Sequence, residues 1–325
     1  MRCVIGPAFD DGAHGSVDVG GVVIAFGATD EIRAGIAASV LAGFPATTGS
    51  PVVSLSIDGH AVVAPVGTPR DEHRGIRMWV ADDGITVAIR DVVGTAVGAH
   101  IEIHVPHCGA AAAVEAIAPV LLGGVLAEHD RYLLHGAAVA SGEATLLVLG
   151  SSGSGKSTLV AAAVEHGWRA LSDDMVVVDL VDGSPRVHGL HRVPAVPIEI
   201  GGPVVGEGTP LHDPRRRVEL SRSLLSSQGG RAVGTVLVAH GATGEGELRA
   251  VAQHEVVVSL LQSYAGMFDP QRRARFLPVA ECVGALPAWR LGHAMKPELR
   301  RAHVGVVLAR LRAALDGRAV RPAAR

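Results

Sequence analysis

Residues 150–158 read Gly150-Ser151-Ser152-Gly153-Ser154-Gly155-Lys156-Ser157-Thr158. The first eight match G-x-x-x-x-G-K-[ST], the pattern of a loop that cradles phosphates. Glycines let the backbone curl so that successive N–H groups face one concavity. A helix starting at about Lys156 adds its positive dipole end to the same spot. The ammonium of Lys156 is expected at the β- and γ-phosphates, and the Ser157 hydroxyl on Mg²⁺. The nucleotide-binding set is therefore Gly150 through Thr158, with a nucleoside triphosphate and Mg²⁺ as ligands. A Gly/Ser-rich surface turn is the bland alternative, and the flanks argue against it. The apolar strand Thr145–Leu149 enters the loop, and the helix Ser157–His166 leaves it, with Gly167 as its C-terminal cap.

Composition sharpens the point. Lys occurs only at Lys156 and Lys296, and every other cation in the chain is Arg. A lysine that persists against such a bias has a reason. A compact ammonium fits among phosphate oxygens where a planar guanidinium would be bulky. Asn is absent altogether. That excludes the Asn-Lys-x-Asp base reader of guanine-specific GTPases and the catalytic-loop Asn of ordinary protein kinases. Leu225-Ser226-Ser227-Gln228-Gly229-Gly230 has the letters of an ABC-ATPase signature in the wrong order and reads as a loop.

Hydrophobic residues make up 48% of the 325, enough for more than one core. The net charge of −3 with 19% charged residues gives no basic excess, so a nucleic-acid partner is not expected. The longest apolar stretch, Ala110 to Ala127, contains Glu115 and Pro119 and reads as a buried helix, not a membrane span. Cys3, Cys108 and Cys282 lack zinc or redox spacing, and Met1-Arg2 does not open a secretory signal. A cytoplasmic protein with reduced thiols is the expectation.

Two regions differ in character. Residues 1–127 are expected to form a mixed, mostly β accessory domain. Its strands are Val22–Phe26, Val52–Ile57, Ile76–Val80, Ile85–Ile89 and Ile101–Val105, with a helix at Asp30–Leu41. Asp58-Gly59 and Asp83-Gly84 read as hairpin turns. Residues 128–325 are expected to form the α/β catalytic domain. Ala113–Leu126 leads as a helix to one strand, Tyr132–Ala140. After the phosphate loop come strand Arg169–Leu171 and a hairpin of Met175–Leu180 with Arg186–Leu190 around Asp182-Gly183. Gly201–Pro214 reads as a loop, Ala232–Ala239 as a strand, Glu255–Ser263 and Glu298–Ala314 as helices, and Arg318–Arg325 as a frayed tail.

Two acidic positions compete to complete the nucleotide centre. Asp173-Asp174 follow Lys156 by 17 and 18 residues, directly after a short strand. After one ten-residue helix, a returning strand brings its C-terminal end back beside the loop, where ligands sit in α/β sheets. Asp179 ends an apolar run but lies one strand length further on, about 15 Å away at ~3.3 Å per residue. The pair is favoured. One carboxylate could bind magnesium, and the other could take a proton from an attacking hydroxyl. Adjacent acids repel, so one pKa should be raised unless a metal compensates.

Three segments together resemble the catalytic domain of the HPr kinase/phosphorylase family: Leu134-His135-Gly136-Ala137-Ala138-Val139, Leu146–Ser157, and His166-Gly167-Trp168-Arg169-Ala170-Leu171-Ser172-Asp173-Asp174. The resemblance covers residues 132–180. It implies a P-loop core related to phosphoenolpyruvate carboxykinase, and phosphoryl transfer from ATP to a serine or threonine hydroxyl of a protein or peptide. Carried over, Asp173 resembles the general base and Asp174 the magnesium ligand. His135 resembles a residue that orients the acid or the phosphate. Ile198-Glu199-Ile200-Gly201-Gly202 resembles the segment with a second metal-linked acid, Glu199, although Gly stands where the family has Arg. A family arginine on the phosphates falls among Arg215, Arg216 and Arg217. The resemblance also implies a homo-oligomer. Residues 1–127 do not resemble the family's amino-terminal domain, and the chain is more similar to divergent relatives such as lasso-peptide kinases. The front half is then expected to recognise the substrate. Two other functions compete: a small-molecule hydroxyl kinase, and a nucleotide sensor without transfer chemistry.

Overall fold

The structure is a computed structural model that describes residues 14–41, 44, 46–73, 75–81, 84–107, 110–190, 195–197, 217–219, 229–240, 248–266, 269–293 and 305–313. The chain is mixed α/β and divides into two compact units. One comprises Met1–Leu133 with Tyr264–Phe276, the other Leu134–Ser263 with Leu277–Arg325. No described helix is long and apolar enough to cross a membrane.

The first unit is built on an eight-stranded sheet. Its strands are β1 (His14–Val19), β2 (Val22–Ala28), β3 (Val53–Asp58), β4 (Asp71–His73), β5 (Ile76–Ala81), β6 (Gly84–Ile89), β7 (Val92–Val97) and β8 (His100–His104). They lie in the order β1-β2-β3-β8-β7-β6-β5-β4. Helix α1 (Glu31–Leu41) is capped by Asp30, whose carboxylate accepts from the Arg33 N–H at 2.9 Å. Helix α2 (Ala111–Ala127) buries Val114, Ile117, Leu121, Leu122 and Val125, which recur at helical spacing, and it packs on β6, β7 and β8. Each such aliphatic side chain contributes about 1.5–3 kcal/mol of burial.

Tyr132, Tyr264 and Phe276 pack ring against ring in this unit, with centroids 4.5–5.7 Å apart. That cluster ties residues 264–276 to it. The expected turn at Asp58-Gly59 is not a hairpin, because β3 pairs in parallel with both β2 and β8. Strands β5 and β6 do form a hairpin, with Ala81 opposite Gly84; Asp83 lies outside the described residues.

Beyond α2, where the second unit begins at Leu134, the expected strand Tyr132–Ala140 breaks at Gly136 into β9 (Tyr132–His135) and β10 (Ala137–Ser141). Then come β11 (Ala144–Leu149), α3 (Lys156–Glu165), β12 (Arg169–Ser172), β13 (Met175–Val181), β14 (Ser184–His188), β15 (Ala195–Pro197), β16 (Arg217–Glu219), β17 (Gly230–His240), β18 (Leu248–Ala250), α4 (Gln253–Ser263), α5 (Pro270–Gly284), β19 (Ala288–His293) and α6, residues 305–313. The main sheet runs β12-β10-β11-β17-β14-β13-β9, and β19 also pairs with β17. Strands β11, β17 and β19 are parallel neighbours.

Helices α3 and α6 bury Leu159, Val160, Ala163, Val307, Leu308 and Leu311 against Val139, Leu146, Val148 and Val236 of the sheet. The Asp182-Gly183 hairpin is present, with φ of +51° and +71°, the positive pair a type I′ turn requires. Gly167 ends α3 at φ +77°. Its N–H donates to Val164 O and that of Trp168 to Ala163 O, a Schellman closure.

Candidate active site

The glycine-rich loop sits where β11 ends and α3 begins, at the C-terminal ends of parallel strands β11 and β17. Gly150 (φ +154°), Gly153 (φ +78°) and Gly155 (φ +105°) take conformations that side-chain-bearing residues avoid. At Gly150 a Cβ would also run into Val238 O and Ser154 Oγ, so only glycine lets the loop leave the sheet this closely. Thr158 and Ser154 are buried.

Lys156 is 6% exposed. Its Nζ donates to Gly150 O at 2.8 Å and to Ser151 O at 3.2 Å, and it lies 3.2 Å from His135 Nε2. An ammonium has no acceptor capacity, so Nε2 must accept and His135 must carry its proton on Nδ1. That nitrogen faces Asp174 Oδ1 at 3.2 Å. Lys156, His135 and Asp174 therefore form one hydrogen-bonded line. Burial lowers the Lys156 pKa, and the charges of Asp173 and Asp174 oppose the shift.

His135 reaches this position because its neighbour is glycine. A Cβ at Gly136 would stand 3.1 Å from both Val148 O and Leu149 Cδ2, tighter than ordinary packing, so the turn after β9 lies directly against the strand that feeds the loop. The Gly136 N–H donates to Asp174 O at 3.1 Å and ties that turn to the acidic pair.

Asp173 and Asp174 form the tight link between β12 and β13. Asp174 adopts φ +70°, which Asp tolerates better than most residues, and the Met175 N–H donates to Asp173 O at 2.9 Å. The two carboxylates are treated differently. Asp174 is 49% exposed, as His135 is at 43%. Asp173 is only 4% exposed. Burial raises the Asp173 pKa; a hydrogen bond from the Ser157 hydroxyl and the charge of Lys156 pull it down, and Asp174 pushes it up. Its Oδ1 has no hydrogen-bond partner among protein atoms. A buried carboxylate oxygen left in this state, beside Ser157 and Lys156, fits a cation or a transferred proton. The residues fit Mg²⁺ on that ground: Ser157 with the Asp173-Asp174 pair could hold it.

Asp179, the rejected alternative, is fully buried inside β13, with its Oδ1 3.1 Å from His188 Nε2. Glu199, Arg215 and Arg216 lie outside the described residues; Arg217 is described only as backbone in β16. One further group offers metal-like donors among the described residues. Asp58, Glu102 and His104 of the first unit have donor atoms within 4.8 Å of one another. His104 Nδ1 already lies 2.8 Å from Asp58 Oδ1, an ordinary imidazole–carboxylate pair. The sequence reading missed the contact of Ser157 with Asp173 and the spacing role of Gly136. Neither leaves a signal in linear order.

No family model matches the chain, and no curated protein matches it. Among solved structures, the Hpr(Ser) kinase/phosphatase from Coxiella burnetii is similar at 9% identity and a TM-score of 0.30, over 55% of this chain and 98% of that one. At that score the likeness carries no argument about activity.

Proposed function

We propose that the chain is an ATP-dependent kinase that transfers the γ-phosphoryl group to a serine or threonine hydroxyl of a protein or peptide. One observation carries this reading. A buried carboxylate with an unpartnered oxygen, Asp173, takes a hydrogen bond from Ser157 and lies within electrostatic reach of Lys156 of the glycine-rich loop. A bare nucleotide grip has no need of it.

In this reading the N–H groups of residues 150–158 hold the phosphates, and Lys156 leaves the carbonyls of Gly150 and Ser151 to reach the phosphate oxygens. Magnesium supplies positive charge that offsets charge developing on the transferred group. Ser157 and Asp174 would hold it, with Glu199 as a further ligand. Asp173 takes the proton from the acceptor hydroxyl as its oxygen bonds to phosphorus, and the bridging oxygen leaves with ADP. A carboxyl whose pKa is raised by burial is a stronger proton acceptor than an ordinary aspartate. His135, fixed by Lys156 on one side and Asp174 on the other, orients both. The amino-terminal unit would recognise the acceptor.

The test is transfer from γ-labelled ATP to a panel of Ser/Thr peptides and small alcohols, with Asp173→Asn alongside. The expected outcome is label on peptide hydroxyls only, lost in the variant while ATP still binds. Label on small alcohols alone would replace the acceptor class. An Asp173→Asn chain with every activity intact would leave a nucleotide sensor.

A further inference from the structure

At the other end of β11 from the phosphate loop lies a second cavity, of about 440 Å³. Ala144 and Leu149 bound β11, so the two ends are roughly 17 Å apart at ~3.3 Å per residue. Three arginines from three strands border this cavity: Arg169 of β12, Arg186 of β14 and Arg231 of β17. A shallower cavity continues past Arg186 and Arg231 toward Asp182 and Ser184.

Arg186 and Arg231 are direct cross-strand partners in the antiparallel β14–β17 ladder. Like charges placed opposite each other destabilise a sheet. Among the described residues neither forms an ion pair with a carboxylate, although Asp179 stands opposite Arg186 on its β13 side. Arg169 approaches from the far side of β10 and β11, three strand spacings from β17, or about 14 Å. Its Nη2 donates to Gly142 O at 2.7 Å, which anchors the guanidinium. Glu143 is the one acid on the rim, against three cations.

The floor supplies a second, independent sign. Thr145 is 0% exposed and lines the cavity, yet its Oγ1 has no hydrogen-bond partner. Buried hydroxyls are normally satisfied, and one left over at a cavity floor marks a place where a ligand acceptor or donor belongs. Gly230 keeps that hydroxyl uncovered, because a Cβ there would collide with Thr145 Oγ1.

We infer that this cavity binds a small phosphorylated anion, at a site separate from the glycine-rich loop. A single carboxylate offers two oxygens in one plane, which match the fork of one guanidinium. Three guanidiniums spread over three strands, with a hydroxyl beneath, match the several oxygens of a phosphate or diphosphate group. The size fits a small molecule and not a folded partner. The inference does not depend on the kinase reading.

Calorimetric titration of the full chain with inorganic pyrophosphate, without magnesium, tests it. The glycine-rich loop is silenced in one arm by Lys156→Ala. The expected result is that Lys156→Ala still binds pyrophosphate, and that adding Arg231→Gln weakens the remaining binding tenfold or more. Thr145→Val, which keeps shape and removes the hydroxyl, should weaken it severalfold. Without ligand, Arg231→Gln should melt at a higher temperature than the parent, because the opposed charges are gone. Binding that vanishes with Lys156→Ala alone overturns the inference, since all the pyrophosphate then goes to the loop. Unchanged affinity in Arg231→Gln and Thr145→Val overturns it too, as does a lower melting temperature of Arg231→Gln without ligand.

Discussion

At Asp173, burial changes the acidity of an ordinary side chain. Its folded-state pKa is raised, so folding favours the protonated form relative to the unfolded chain. For a carboxyl shifted upward, stability is full below the unfolded value and is lost as pH rises through the folded one. The chain without nucleotide should therefore lose stability between the ordinary carboxylate range and the raised value. Asp173→Asn should remove that slope and raise the neutral-pH melting temperature by about 2–4 °C. The same variant should abolish transfer. In the parent, kcat/KM, which reports the free chain, should fall on the acid side at a pH above the usual aspartate range, because only the carboxylate can accept a proton. A variant that melts earlier at neutral pH, or an acid limb at the ordinary aspartate value, would contradict the burial argument. Lys156→Ala removes the ammonium that contacts His135 and that the proposed function places on the phosphates. Its kcat/KM for ATP should drop by about 10²-fold or more, and steady-state rates at varied ATP would show this.

The strand–loop–helix element from β11 to α3 carries the glycine-rich loop, and its two ends obey different rules. Its start is set by positive-φ glycines that aim N–H groups inward, its end by the Schellman closure at Gly167. Gly167→Ala places a side chain at φ +77° and should cost about 1 kcal/mol. The affected end lies a helix length from the phosphate loop, so the KM for ATP should stay within twofold. Urea unfolding and ATP titration of the one variant check both halves. The His-Gly element acts differently. Gly136 has no side chain to press on Val148 O and Leu149 Cδ2 where the chain leaves β9 for β10, beside His135, which faces Lys156.

At the scale of the whole chain, the units are not two consecutive stretches. Residues 264–276 belong with the first unit, and Tyr264 and Phe276 pack there on Tyr132. The Tyr132 hydroxyl also donates to Arg275 O at 3.1 Å, and the Arg275 guanidinium pairs with Glu128 at 2.6 Å. A fragment cut to begin at residue 128 would keep these aromatic rings and lose most of the unit that houses them. It should bind a hydrophobic dye and associate in solution. A monodisperse fragment that excludes the dye would mean the segment has another place to pack.

The linear order determined the features whose physics is local. Glycine spacing ahead of Lys156, the apolar run before it, the Asp182-Gly183 turn and the Gly167 cap all act within a few residues, and each could be read directly. Strands such as β7 and β19 were not legible, because Gly94, Arg290 and Gly292 interrupt their apolar pattern and pairing with neighbours decides them. Helix α5 hid behind its charges and Pro278. The break at Gly136 and the parallel partners of β3 likewise depend on distant chain. Only the folded sheet set Asp173 in a dry place against Ser157, and only it put Arg186 across from Arg231. Burial and cross-strand pairing are sums over residues far apart in sequence, so no window of the chain contains them.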